Sequence, residues 1–325
     1  MKNDVEKNIS ILIPSKILDD NLRYCIKQIR KFYKNIKIIL VLDKSSVSKV
    51  DKNIQIVISG NKTIGFKRNL GLKHVITKFV SFIDSDAYPN SRWLDESLNL
   101  FKNRKIALVG GPNLSPKTKN IEKILVARSR KNSIVTLNPK VKSIKTNKHF
   151  INFLPSCNMI MRTSIYKKIK GMDPRLYSSE EISLNYKLNK KGFKMVFSPK
   201  VFIFHSDRNF KHFARQRFIY GSTGLWCLIR YPCKESFMLF ASSFPTLFIL
   251  FFPMVFIGNA LKLTFLFGIL FLILLIFINS VKINFKNNFF KSVKLSFISF
   301  FYPGLGLLAR IFLKNDTFKK LYTQK

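Results

Sequence analysis

The chain has 325 residues and a formal net charge of +40, from 57 Lys and Arg against 17 Asp and Glu. That length allows one large domain or two smaller ones, and the charge suits nucleic acid, anionic lipid or an anionic substrate, although over-use of Lys, Asn, Ile and Phe, as AT-rich coding produces, accounts for part of its size. The four cysteines, Cys25, Cys157, Cys227 and Cys233, form no C-x-x-C pair and histidines are scarce, which argues against a zinc motif or a disulfide framework and for reduced cytosolic thiols.

Taken in chain order, residues 1–10 are polar, and the apolar run that follows, Ile11 to Ile13, is too short for a signal-peptide core. The first domain is therefore expected in the cytoplasm. Residues 9–14 read as a strand ended by Pro14. Residues 21–33 place Leu22, Ile26 and Ile29 at helical spacing. Residues 36–42 and 54–58 are apolar strands, the first running into Asp43. Residues 65–78 read as a helix with Leu70, His74 and Ile76 partly inward. A strand then ends at Asp84-Ser85-Asp86. Strands alternating with helical patterns indicate βαβ units and a mostly parallel sheet. Another strand is expected at 106–111 and a lysine-rich loop region at 113–149. Helices follow at 163–170 and 178–191, the latter with Ile182, Leu184 and Leu188 apolar and Gly192 as its stop. Residues 195–197 and 201–204 are strand-like, and His205 follows.

The segment 80–89 is the most informative. A continuous apolar run reads as a buried parallel strand, and open α/β sheets bind ligands just beyond the carboxyl ends of such strands. Two aspartates spaced i, i+2 there suit a hard divalent cation that keeps positions open for phosphate oxygens. The plain alternative is a turn, for which Asp, Ser and Pro are ordinary residues.

The ordered set of motifs resembles glycosyltransferase family 2. Ser10-Ile11-Leu12-Ile13-Pro14-Ser15 resembles that family's first strand, and Val41-Leu42-Asp43-Lys44-Ser45-Ser46 its second-strand motif. Gly65-Phe66-Lys67-Arg68-Asn69-Leu70-Gly71 resembles the G-x-x-x-R-N-x-G helix start. Phe82-Ile83-Asp84-Ser85-Asp86 resembles the D-x-D site, and Trp93-Leu94 the helix after it. Gly171-Met172-Asp173 with Ser179-Glu180-Glu181 resembles the acceptor side, and Phe204-His205 the closing strand. The similarity covers roughly residues 9–221. It implies an α/β, Rossmann-like nucleotide-diphospho-sugar transferase domain with a mostly parallel sheet.

The resemblance also implies roles. Pro14, Asp43, Arg68 and Asp84 would bind the nucleotide-sugar. Asp86 is the first choice for metal ligand, with His205 as a further ligand, for Mg2+ or Mn2+. His205 has an equal reading as a packed strand-end residue. Asp43 suits an imide N–H of the base, because a carboxylate only accepts. Arg68 would pair with diphosphate oxygens or with Asp84, and Lys67 reads as a solvated charge. Glu180 and Glu181 stand where the family commonly has Glu-Asp, and Glu181 would be the catalytic base. Were Ser178 an N-cap, Glu181 would instead complete a capping box. The Q-x-x-R-W signature of processive synthases is absent, which implies one sugar per encounter.

The second half differs in composition. Residues 237–257 and 263–279 are apolar enough to span a hydrocarbon core of ~30 Å. Residues 295–313 form a third or re-entrant segment, interrupted by Pro303, Gly304, Gly306 and Arg310. The turn between the first two spans carries only Lys262. The loop after them carries Lys282, Lys286, Lys291 and Lys294, which places that loop in the cytoplasm. Residues 208–236 mix Arg with Phe, Tyr and Trp, as an interfacial linker does. The expected domains are thus 1–207 catalytic, 208–236 linker, 237–313 membrane and 314–325 basic tail.

The whole reads as a multi-pass inner-membrane enzyme with a cytoplasmic catalytic domain. It would transfer a sugar with inversion to a lipid-linked acceptor in envelope polysaccharide or glycolipid synthesis. Its partners would be the donor, that acceptor and membrane lipids, with no nucleic acid. The alternatives are a polyprenyl-phosphate glycosyltransferase and a catalytically inactive membrane scaffold.

Overall fold

The computed structural model describes residues 2–44, 51–131, 147–250, 256, 258–284 and 287–313. The chain divides into two compact units, one of Met1–Pro116 with Lys140–Ser206, the other of Lys117–Pro139 with Asp207–Lys325.

The first unit begins with α1 (Lys2–Asn8), β1 (Ile9–Pro14), α2 (Asp20–Phe32), β2 (Lys37–Leu42), β3 (Ile54–Ile58) and α3 (Ile64–Leu72). It continues through β4 (Phe79–Ile83), β5 (Ala87–Pro89), α4 (Trp93–Leu100), β6 (Ile106–Gly110) and β7 (Asn113–Leu114). After α5 (Ile121–Ser129), which belongs to the second unit, come β8 (His149–Phe150), β9 (Asn158–Arg162), α6 (Thr163–Lys168), α7 (Glu180–Lys190), β10 (Lys194–Phe197) and β11 (Ile203–His205). Eight strands form one sheet in the order β3-β2-β1-β4-β9-β6-β10-β8, and β5-β11-β7 form a small second sheet. The pairs β2–β3, β1–β2, β1–β4 and β6–β10 are parallel; β9 runs antiparallel to both β4 and β6.

Period-two alternation explains why both sheet faces are covered. Ile9, Ile11 and Ile13 pack into one core with Leu22, Cys25 and Ile29 of α2. Leu12, Ile39 and Val41 pack into the other, with Met172 and Leu184. Asp19 starts α2 by accepting from the Leu22 backbone N–H at 3.0 Å, as an N-cap does. On the opposite face Gly71 of α3 lies so close that a Cβ there would sit 2.7 Å from Leu12 and Val41.

Several expected boundaries move. The helix expected over 65–78 stops at Leu72, and Ile76 is 79% exposed rather than inward. The chain must turn there to enter β4, and the Thr77 hydroxyl donates to the Phe79 carbonyl as it does so. The polar start forms α1. Within 113–149, expected as loop, α5 forms where Asn120 accepts from the Lys123 N–H and Leu125 and Val126 find a core; residues 132–146 lie outside the described residues. His205 ends β11 instead of following it.

The second unit continues with α8 (Phe210–Arg230), α9 (Lys234–Ala241), α10 (Phe244–Leu250), α11 (Asn259–Asn284) and α12 (Phe289–Phe312). Its core gathers Leu125 and Val126 of α5, Phe210, Phe213 and Ala214 of α8, Ile283 of α11, and Leu295 and Ile298 of α12. Glu122 accepts from the Phe210 N–H at 2.9 Å, and Arg130 pairs with Asp207 at 2.5 Å.

The expected span over 237–257 is not one continuous helix. It breaks at Ser242-Ser243 between α9 and α10, because Pro245 supplies no N–H to continue the first helix and fits the first turn of the second. Residues 251–255 and 257 lie outside the description. Phe248 of α10 stacks on Phe265 of α11, ring centroids 5.0 Å apart, so the two helices meet there. The span expected over 263–279 lies inside α11. The segment 295–313 falls in α12, which continues through Pro303. The proline leaves the Ser299 carbonyl without its helical donor, and the Arg217 guanidinium donates to that carbonyl at 3.2 Å. The expected loop lysines Lys282, Lys291 and Lys294 thus fall on helices, while Lys286 and the tail 314–325 lie outside the described residues. Two helices, Asn259–Ile283 and Phe289–Phe312, are long and apolar enough to cross a membrane.

Candidate active site

Three strand ends of the first unit converge on one corner. Asp84 follows β4, and the β4–β9 pairing sets Ile83 opposite Asn158, which brings Cys157 across from Asp84. The β5–β11 pairing sets Ala87 opposite His205. His205 Nε2 lies 3.3 Å from Asp86 Oδ1 and 3.6 Å from Asp84 Oδ2. One ligand atom each from Asp84, Cys157 and His205 lie within 4.8 Å of one another. Both aspartates are about one-third exposed while His205 is buried, so the opening lies on the carboxylate side.

Behind this corner stands Arg68. It is 1% exposed, donates from Nη2 to Asp84 Oδ1 at 2.8 Å, and pairs through Nη1 with Glu180. Burial alone would lower its pKa, but Glu180 and Asp84 more than offset this and raise it. Arg68 thereby links the D-x-D corner to the start of α7. The next residue, Asn69, fixes the same region. Its amide donates to the Met172 carbonyl at 2.7 Å and accepts from the Met172 N–H at 3.0 Å. Gly171, at φ +58°, makes the turn that this clamp grips, a conformation glycine adopts without strain.

Glu180 is buried against Arg68 and accepts from Ser156 Oγ at 3.4 Å. Glu181 is partly exposed. Burial, and then the neighbouring Glu180 carboxylate, push it up to about 8. The N-cap of α7 is Ser179, at φ +58° and without a side-chain cap bond, so Ser178 does not stand at the cap position that a capping box with Glu181 requires.

A second group sits at the ends of β1 and β2. Pro14 closes β1 opposite Val41. Lys67 is buried, not solvated: its Nζ donates to the Ser15 carbonyl at 2.5 Å and pairs with Asp43 at 2.5 Å. The structure therefore brings Asp84, Asp86, His205, Arg68 and Glu180 into one contact chain, and Asp43, Lys67 and Ser15, the residue after Pro14, into another. Sequence reasoning missed Cys157, the buried state of Lys67 and the Asn69 clamp. Each depends on pairing between segments 24 to 103 residues apart, and only the position of Asn69 within the helix motif gave any local signal.

The donor set fits a divalent cation. Carboxylate oxygens, an imidazole nitrogen and a thiol converge, and His205 Nδ1 is buried with no hydrogen-bond partner among the described residues. A buried unsatisfied donor or acceptor is costly; the nitrogen turned to the carboxylates, where an ion would bind, is Nε2.

Comparison with known proteins agrees with this geometry. A pre-mycofactocin glycosyltransferase of Mycobacterium tuberculosis is 25% identical over 170 residues, which covers 52% of this chain and 36% of that protein; the match spans little more than a third of the relative's length. The solved structure of the mannosyltransferase PcManGT from Pyrobaculum calidifontis, in complex with GDP-Man and Mn2+, has a TM-score of 0.57 at 12% identity, over 95% of this chain and 88% of that one. It shares the fold. The structure of S. aureus TarS 1-349 has a TM-score of 0.44 at 15% identity, over 71% of this chain and 68% of that one. The family model described as glycosyl transferase family 2 matches residues 10–170, a stretch that ends before Glu180 and Glu181. With the parallel sheet, the D-x-D corner and Arg68 behind it, the family match makes residues 10–170 a glycosyl transferase family 2 domain.

Proposed function

We propose that the protein transfers a sugar, with inversion, from a nucleotide-diphospho-sugar to a lipid-linked acceptor at a membrane surface, in the assembly of an envelope polysaccharide or glycolipid. The observation that carries this reading is the contact chain His205–Asp84–Arg68–Glu180 at the carboxyl end of β4. It sets cation ligands and a buried guanidinium where a diphosphate would lie. The M. tuberculosis relative bears a glycosyltransferase name, and the PcManGT structure holds GDP-Man and Mn2+.

In this reading the acceptor oxygen attacks C1 of the sugar as the bond from C1 to the diphosphate oxygen breaks. Negative charge grows on the leaving group, and fixed positive charge aimed at it is usually the largest catalytic contribution. Asp84, Asp86 and His205 would hold Mg2+ or Mn2+, which would offset that charge. Arg68 holds Asp84 in place and pairs with Glu180. Asp43, its position fixed by Lys67, accepts from the base. Glu181 takes the acceptor proton, a role that requires a carboxylate within hydrogen-bond reach. Its pKa of about 8 also favours a second reading. A protonated Glu181 would donate to an anionic polyprenyl phosphate, which needs no base.

The lipid part of the proposal rests on the second unit. Along α11 the residues Leu263, Leu266, Phe267, Leu270, Phe271 and Leu274 are all exposed, a surface that water does not suit. Trp226 lies under both Arg230 and Arg310, 5.8 Å from each, as at a headgroup layer. The proposed orientation puts the catalytic domain and Lys291 in the cytoplasm and Asn259 outside. Cysteines placed at positions 291 and 259 of an otherwise cysteine-free chain would report it to an impermeant thiol reagent. Labelling of 291 in intact cells would reverse the orientation.

The deciding experiment incubates the membrane-reconstituted protein with a panel of nucleotide sugars, Mg2+ or Mn2+, and total lipid extract, with mass spectrometry of the lipids. A mass gain of one hexose-like unit that is lost in Asp86→Ala is the expected result. No transfer and no nucleoside diphosphate release with any donor would sink the reading.

A further inference from the structure

We propose that Cys157 supplies a sulfur ligand at the corner formed by Asp84 and His205, and that the site prefers thiophilic divalent ions such as Co2+, Zn2+ or Cd2+ to Mg2+. The proposal deepens the reading of this corner as a cation site and rests on it. Its test needs neither a sugar donor nor turnover.

Three observations carry it. First, Asp84, Cys157 and His205 come from the ends of β4, β9 and β11, and their ligand atoms already lie within 4.8 Å of one another. Two ligands on one tetrahedral ion, at Zn–S ~2.3 Å and Zn–N ~2.0 Å, stand roughly 3.5 Å apart. The set needs to draw in by about an ångström, a movement that side-chain rotation supplies. Second, the thiol is held in place: Asn113 Nδ2 donates to Cys157 Sγ at 3.0 Å. That contact orients a sulfur lone pair and steadies negative charge on it. Third, His205 is buried and turns Nε2 toward both carboxylates, 3.6 Å from Asp84 Oδ2 and 3.3 Å from Asp86 Oδ1. An ion held between them would be ligated by that nitrogen.

The chemistry of the set then selects the ion. Mg2+ demands near-octahedral oxygen ligands and gives up its waters reluctantly. Imidazole nitrogen suits Zn, Co and similar ions, and thiolate suits softer ions. Three protein ligands of O, N and S type leave one position open, as catalytic zinc sites do. A diphosphate oxygen could take that position. Asp86, 3.3 Å from His205 Nε2, would be the further oxygen ligand of an expanded shell. Binding breaks the Cys157 S–H bond, forms an S–metal bond and releases the proton to solvent. No electrons change hands, and affinity rises with pH.

The test is an optical titration of the full chain in detergent with Co2+, repeated with Cd2+. The wild type should develop an intense ultraviolet sulfur-to-metal charge-transfer band that saturates at one equivalent. Cys157→Ser should lose the band and bind Co2+ at least tenfold more weakly, while its Mg2+ affinity stays within about twofold. Cys25→Ala is the control, because Cys25 Sγ also lies near Asp84, 3.9 Å from its carbonyl. Burial pushes the Cys25 thiol up, so this variant should keep the band. A readout without substitution is alkylation of Cys157 by iodoacetamide, followed by mass spectrometry. Cd2+ should slow it strongly and Mg2+ should not. Binding of Co2+ without a band, a band that survives Cys157→Ser, or alkylation indifferent to Cd2+ would each overturn the proposal. None of these outcomes bears on whether sugar is transferred.

Discussion

The two units solve opposite problems. The first buries charge: Arg68, Lys67 and Glu180 are each at most 5% exposed, and all are paired. The second exposes oil: α11 shows Leu266, Leu270 and Phe277 to the surroundings, each more than half exposed. A buried ion pair is poor evidence of stability, since well-packed apolar residues often serve as well. A helix apolar on all sides is equally poor evidence of a water-soluble fold. Each feature is out of place in an ordinary globular core. Under the proposed function the first is charge kept for chemistry and the second a surface that meets lipid.

The largest expected effect separates these roles within the first unit. If Glu181 is a base, Glu181→Gln should lower turnover by roughly two to four orders of magnitude. Its pH dependence can be signed. The folded-state pKa lies above the ordinary carboxylate value, so the folded state holds a proton that the unfolded state has lost. Stability contributed by that proton is present in acid and is lost as pH rises from the ordinary carboxylate range through about 8. The Gln variant should therefore unfold at a higher temperature than wild type near pH 8 and show no gain near pH 4. Wild-type turnover should rise with pH up to about 8. Turnover that survives in the variant would favour the phosphate acceptor.

Arg68→Met probes the buried charges directly. It leaves Glu180 in the interior without its cation, and breaking a buried pair in this way costs about 3–5 kcal/mol. Chemical denaturation of the first unit should report a loss of that order. The double variant Arg68→Met/Glu180→Gln should recover most of it without recovering activity. A fully stable single variant would mean that the ion pair does not organise the site.

A charge placed in the second unit makes the converse test. Leu270, midway along α11, is 53% exposed. Leu270→Arg should weaken membrane insertion by about 2.5–3.5 kcal/mol if the helix centre lies in hydrocarbon. Alkaline extraction of membranes, which strips peripheral proteins, reads this out. Unchanged retention would mean that α11 lies elsewhere.

Sequence and structure agree best where a signal is local. The strands β1, β2 and β4 are legible because burial on both faces leaves mostly apolar runs, interrupted only by the buried Ser10 and Ser81 and by Lys37 at the exposed start of β2. Asp84 and Asp86 were legible because two carboxylates end such a run abruptly. The boundaries of α3 and α7 were blurred, since lysines and serines carry little periodicity. Lys67 looked like a surface charge because nothing local shows that Asp43, 24 positions earlier, reaches it. Cys157 joins Asp84 only through an antiparallel pairing across some seventy residues. The α5 helix was hidden because its apolar residues answer to α8 and α12, not to neighbours in sequence. The break at Ser242-Ser243 was written in Pro245, but a long apolar run masked it.

The smallest effect is the sharpest test of how the second unit holds together. Pro303 sits inside α12, where a proline costs about 3 kcal/mol or more through a clash and a lost hydrogen bond. The lost bond would have ended on the Ser299 carbonyl, and Arg217 of α8 donates to that carbonyl instead. The helices are close enough for this because Gly221 and Gly306 face backbone: a Cβ at Gly221 would overlap the Pro303 carbonyl, and one at Gly306 the Phe218 carbonyl. In this arrangement the guanidinium stands in for a backbone N–H. Arg217→Met should therefore destabilise the wild-type protein by about 1.5–3 kcal/mol, the range for a hydrogen bond to a charged group. In a Pro303→Ala background, residue 303 can donate to Ser299 itself, and the same change should cost less. The double-mutant cycle should give a coupling of about 1 kcal/mol, measured by thermal unfolding in detergent. A coupling of zero would mean that Arg217 is held for some purpose other than repairing the helix.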